Sequence, residues 1–62
     1  MSELLTTDDA AQTLRSNVHT LAYWRATGQG PAWAKIGRRV VYRRTDIEAF
    51  VEARFAEAHQ PA

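Results

Sequence analysis

Asn17 and Gly28 bracket ten residues that read as one short helix, and that helix constrains everything around it. An asparagine at the start can accept a hydrogen bond from a free amide of the first turn. A glycine at the end takes the left-handed conformation without a Cβ clash. Over Asn17–Thr27 the helical period puts Leu21 and Trp24 on one face and His19, Ala22, Tyr23 and Ala26 on another. A chain of 62 residues has room for one domain with a small core, so the apolar face must be covered by its near neighbours in sequence.

The flanking segments supply that cover. Thr6 is the expected N-cap of a first helix, with Asp8 and Asp9 in the first turn, where the helix dipole favours negative charge. Capping, not metal or acid chemistry, is the reading of that acidic pair. Leu5 precedes the cap and can pack against Ala10 as a hydrophobic staple. Ala10, Ala11 and Leu14 form a short apolar face, and the two alanines allow another helix to approach closely. Arg15-Ser16 then joins this helix to the second across a turn of about three residues, the spacing of a helix-turn-helix.

Gly28-Gln29-Gly30-Pro31 ends the second helix in a loop. Ala32–Ile36 and Val40–Arg43 follow as short β-rich strands joined around Gly37-Arg38-Arg39. A two-residue turn would set Ile36 opposite Arg39. A three-residue loop sets Ile36 opposite Val40 and Ala34 opposite Tyr42. The second register is expected, because it collects Ala34, Ile36, Val40 and Tyr42 on one buried face and leaves Lys35, Val41 and Arg43 on the other. Thr45-Asp46-Ile47-Glu48 is a capping-box pattern, with the cap at Thr45 or a residue or two earlier. The third helix carries Ile47, Phe50, Val51 and Phe55 at spacings of three and four. The first three are expected to close the core over Trp24 and Tyr42, with Phe55 a turn beyond. The fold class is α+β, a small winged helix-turn-helix of three helices and a two-stranded β-hairpin wing. It forms one domain over residues 1–62, with an ordered core from about 4 to about 57 and His59-Gln60-Pro61-Ala62 as a frayed tail.

A net charge of +1 conceals a segregated distribution. The acids are Glu3, Asp8, Asp9, Asp46, Glu48, Glu52 and Glu57, and none lies between Asp9 and Asp46. That acid-free middle holds Arg15, Arg25, Lys35, Arg38, Arg39, Arg43 and Arg44. Such segregation is the electrostatic footprint of a nucleic-acid partner. Within it, the His19–Tyr23 face offers hydrogen-bonding groups among small residues, as a helix approaching base edges requires. Arg38 and Arg39 at the hairpin tip are placed to reach a phosphate or the minor groove.

Other chemistries find little support. There is no cysteine for a disulfide or thiolate metal site. No apolar run approaches a membrane span, and Met1–Leu5 lacks the basic flank and apolar core of a secretory signal, so a cytoplasmic location is expected. His19 and His59 stand forty positions apart, and Ser2 and Ser16 have no evident base partner. Neither a nucleophile–base constellation nor a metal cluster can be assembled, so neither an enzyme nor a cofactor is expected.

Taken in order, Leu5-Thr6-Thr7-Asp8-Asp9-Ala10-Ala11, Leu14, Asn17–Leu21, Trp24, Gly28, Pro31, Lys35–Arg39, Tyr42-Arg43 and Asp46–Phe50 resemble the excisionase family of small MerR-like winged-helix proteins. The resemblance runs from Leu5 to about Val51. It implies a phage or mobile-element protein of the bacterial host's nucleoid that binds double-stranded DNA without catalysis. Such proteins sit cooperatively on neighbouring sites beside other copies of themselves, bend the DNA, and help a phage integrase excise the element. By this resemblance the helix Asn17–Thr27 enters the major groove and the Arg38-Arg39 wing reaches the flanking minor groove or backbone. Arg15 departs from the family pattern, which often has glycine at the end of the first helix. The chain also ends soon after the third helix, where a MerR regulator would continue into a dimerisation helix and an effector domain.

The expected major-groove residues are His19, Thr20 and Tyr23, with Asn17 and Arg25 at the margins. The expected wing and phosphate contacts are Lys35, Arg38, Arg39, Arg43 and Arg44, with Arg25 a further phosphate candidate, and Phe55 is a candidate protein contact. If about five cations reach phosphates, log affinity falls against log salt with a slope of roughly −4 to −5. Two other readings compete. One is a small repressor on inverted half-sites. The other is an interaction module that docks through its Ile47–Phe55 helix.

Overall fold

Local capping chemistry starts both early helices where their residues dictate. In the computed structural model, which describes residues 3–58, the elements are β1 (Leu4–Leu5), α1 (Thr7–Thr13), α2 (Val18–Thr27), β2 (Ala34–Ile36), β3 (Arg39–Arg43) and α3 (Arg44–Ala58). The His59–Ala62 tail lies outside the described residues. Thr6 Oγ1 accepts from the Asp9 amide at 3.1 Å, and Asp9 Oδ2 accepts from the Thr6 amide at 3.3 Å, a reciprocal capping box. Asn17 Oδ1 accepts from the Thr20 amide at 2.9 Å, and Gly28 closes α2 at φ 75°. Helix α3 begins at Arg44, directly off β3, so Thr45 lies inside its first turn.

The sheet departs from expectation in two ways. A third strand, β1, pairs antiparallel with β3, Leu4 opposite Arg43 and Leu5 opposite Tyr42, giving the order β1-β3-β2. The hairpin also uses the two-residue turn, which corrects the expected register: Ala34 faces Val41, Lys35 faces Val40 and Ile36 faces Arg39. Gly37 explains the choice. At φ 63° it supplies the positive backbone angle that lets a two-residue turn follow the twist of its strands. Directly paired residues share a face, so Leu5, Lys35, Val40 and Tyr42 turn toward the helices. Leu4, Ala34, Ile36, Arg39, Val41 and Arg43 turn away. Tyr42 and Leu5 are buried, whereas Ile36 is 58% exposed.

The core is Leu5, Ala10, Ala11, Leu21, Tyr42 and Ile47, with Leu14, Trp24 and Val40 packed on its edge. Both alanines are buried where α1 meets α2 and β3. The Trp24 and Phe50 rings meet at a centroid distance of 5.4 Å and a tilt of 51°, as the α3 spacing implied. Beyond Val51 every described residue of α3 is exposed, Phe55 included.

Arg15 occupies the left-handed position after α1, at φ 55°. Its amide donates to the Gln12 carbonyl at 3.1 Å and the Ser16 amide to the Ala11 carbonyl at 2.8 Å, the paired bonds of a Schellman ending. The turn is therefore the one a glycine would make, with an arginine bearing its strain. Arg15→Gly is expected to stabilise the domain by about 0.5–1 kcal/mol: relief of the left-handed arginine outweighs the disorder glycine adds to the unfolded chain. Urea unfolding checks this, and a lower midpoint would mean the arginine side chain contributes more than its backbone costs.

Candidate nucleic-acid interface

Helix α2 turns Leu21 inward, and that orientation decides which of its polar groups reach solvent. His19, Ala22, Tyr23 and Ala26 are all exposed, Tyr23 at 61%. Asn17 and Thr20 are occupied with one another: besides the capping bond, Thr20 Oγ1 donates to Asn17 Oδ1 at 3.3 Å, and Thr20 is half-buried. A base edge could still use the Asn17 amide hydrogens or a Thr20 lone pair. His19 and Tyr23 are left as the two side chains of this face with no hydrogen bond among the described residues.

Arg25 sits at the edge of that helix, facing the sheet. Its Nη1 donates to the buried Tyr42 hydroxyl at 2.7 Å, and its guanidinium lies 5.9 Å from the centre of the Trp33 ring. No carboxylate pairs with it among the described residues. The sequence marks Tyr42 as a core residue and gives Trp33 no role. The contact joins residues 17 positions apart, and neither periodicity nor capping marks it.

The basic stretch divides into two groups. Arg43 bonds Asp46 through Nε at 2.7 Å and Nη2 at 3.3 Å, and Arg44 Nε bonds Glu3 at 2.7 Å. The hydrogen bond and charge of Asp46 hold the Arg43 guanidinium above its ordinary pKa, and those of Glu3 do the same for Arg44. In either one the neighbouring carboxylate offsets the positive charge that a phosphate would meet, although N–H donors remain. Arg15, Lys35, Arg38 and Arg39 are exposed and have no acid partner among the described residues. Arg38 lies in the turn of the hairpin, with Arg39 beside it on the outward face. Four of the six phosphate candidates therefore stand without a carboxylate: Arg25, Lys35, Arg38 and Arg39. Arg15 adds a fifth such cation outside that set.

The profile of the helix-turn-helix domain matches residues 4–54, and the chain belongs to that family, which includes excisionase-like DNA-binding proteins. No curated protein and no solved structure matches the chain. Membership makes DNA binding the function class, in a family that is typically non-enzymatic. Three helices with a small antiparallel sheet fit the winged form of that fold. No helix is long and apolar enough to cross a membrane among the described residues.

Proposed function

We propose that this chain is a recombination directionality factor of the excisionase type. It binds repeated DNA sites cooperatively, bends the duplex, and directs an integrase toward excision of a phage or mobile element in the bacterial cytoplasm. The observation that carries the reading is one small domain holding both an exposed polar face on α2 and acid-free cations at the hairpin tip. In this reading α2 enters the major groove, where His19 and Tyr23 read bases with Thr20 and Asn17 at the margins, and Arg25, turned toward the sheet, meets the backbone. Lys35, Arg38 and Arg39 contact the backbone or minor groove, with Arg43 and Arg44 offering weaker contacts because their carboxylates offset the charge.

So few reading groups make one copy a weak binder, and repeated sites with contacts between copies raise the affinity. The exposed acids Glu48, Glu52 and Glu57 on α3 and the basic hairpin tip suit head-to-tail contact. Gel-shift titration on the element's attachment and promoter regions, with random competitor, tests the proposal. A ladder of cooperative complexes on direct repeats, with mobility altered by bending, is expected. A single complex on an inverted repeat would indicate a repressor instead. No complex at low salt would leave an interaction module docking through α3 and Phe55.

Tyr23→Ala tests base reading separately. Its affinity for the cognate site is expected to fall about 5- to 100-fold, with little change on random duplex. Equal losses on both would remove Tyr23 from the reading set.

A further inference from the structure

We infer that Arg25 is a pre-set phosphate clamp at the junction of α2 and the hairpin, with Tyr42 and Trp33 as the positioning residues that aim it. The inference rests on the DNA-binding reading and deepens it. A duplex that takes a helix in one groove and a wing in the next carries one sugar–phosphate strand across the junction between them. Arg25 lies at that junction. It projects from α2, and its head is fixed to β3 through the Tyr42 hydroxyl and to the segment before β2 through Trp33.

Three features mark this as a binding group. Neither of its partners neutralises it, since a phenol and an indole leave the full positive charge in place. A guanidinium has five N–H donors and Tyr42 takes one, so four remain, enough for the two-pronged grip that suits a phosphate. Its orientation is set before DNA arrives, which lowers the ordering cost that a free surface arginine meets on binding. Tyr42 is also the largest fully buried side chain among the described residues, so its hydroxyl is a fixed anchor.

The test is a double-mutant cycle on DNA affinity, measured by fluorescence anisotropy with cognate and random duplexes across several salt concentrations. Circular dichroism melts confirm that each variant is folded at the assay temperature. Arg25→Ala is expected to weaken binding to both duplexes about tenfold and to reduce the salt slope by about 1. Tyr42→Phe keeps the ring and the charge, so it is expected to weaken both about threefold with the slope unchanged. In the Arg25→Ala background Tyr42→Phe is expected to add nothing. Arg25→Lys, which keeps the charge and stem and so guards against loss of the fold, is expected to retain the slope and resemble Tyr42→Phe in affinity. An Arg25→Ala variant with unchanged slope and random-duplex affinity, or a Tyr42→Phe loss that is the same in both backgrounds, would overturn the clamp. Failure of the wild-type chain to bind any duplex at low salt would instead overturn the DNA-binding reading beneath it.

Discussion

Gly30→Ala is expected to destabilise the domain by about 2–5 kcal/mol. Two costs add. Gly30 sits at φ 80°, where a Cβ meets its own backbone at a cost of roughly 1–2 kcal/mol. A Cβ there would also stand 2.8 Å from Trp24 Cε3 and 3.0 Å from Trp24 Cβ, closer than packed carbons approach. Trp24 cannot withdraw freely, since it packs on Phe50 and on the edge of the core. Forced repacking of that kind costs about 1–3 kcal/mol. A domain of this size has roughly 3–9 kcal/mol to lose, so the variant is expected to be partly unfolded near body temperature. Gly28→Ala is the control. Gly28 has a similar φ of 75° but nothing within 4 Å of its missing Cβ, so about 1 kcal/mol is expected. Urea unfolding of the two variants separates backbone strain from the Trp24 collision. Equal losses would mean that Gly30 does not press on the indole as described.

Joint replacement of Arg38 and Arg39 by alanine is expected to have the largest effect on binding. Both are exposed, have no carboxylate partner among the described residues, and stand where the hairpin turns. Each phosphate contact contributes about 0.9 to the slope of log affinity against log salt, so the double variant should flatten that slope by nearly 2. Affinity for cognate and random duplexes should fall together, on the order of 10- to 100-fold at moderate salt. The fold should be untouched, because neither side chain packs in the core. A slope that stays as steep would remove the hairpin tip as a charge contact. The same arithmetic bears on the whole chain. With Arg43 and Arg44 held by Asp46 and Glu3, four of the six phosphate candidates remain without a carboxylate, and the wild-type slope is expected near −3 to −4 rather than −4 to −5.

Much of the architecture is legible in the residues because it rests on local chemistry. Thr6 and Asn17 cap amides three residues on, and Gly28 closes α2 by its own backbone freedom. Ile47 and Phe50 follow from helical spacing, and both meet the partners that spacing implied or lie in the same core. The register of the hairpin is not legible in that way. Counting apolar residues favours burying Ile36, but the turn geometry available to Gly37 governs the pairing and leaves Ile36 outside. Strand β1 is too short, at two residues, to show any alternation, and it exists because β3 offers a free edge to Leu4 and Leu5.

The site divides along the same line. The acid-free run from Arg15 to Arg44 is plain in the sequence, and so is the polar face of α2. Which cations are free is not. Arg44 and Glu3 are 41 positions apart, and only the strand pairing of β1 with β3 brings them together. The Arg25–Tyr42 bond depends in the same way on how α2 lies against the sheet.

The most direct test of the central claim, that the acid-free middle of this chain is a DNA-binding surface, is a titration of the full chain against a labelled random duplex at four or five salt concentrations. Binding at low salt, with log affinity falling linearly against log salt at a slope of about −3 to −4, is the predicted result. No binding at low salt, or an affinity indifferent to salt, would contradict it.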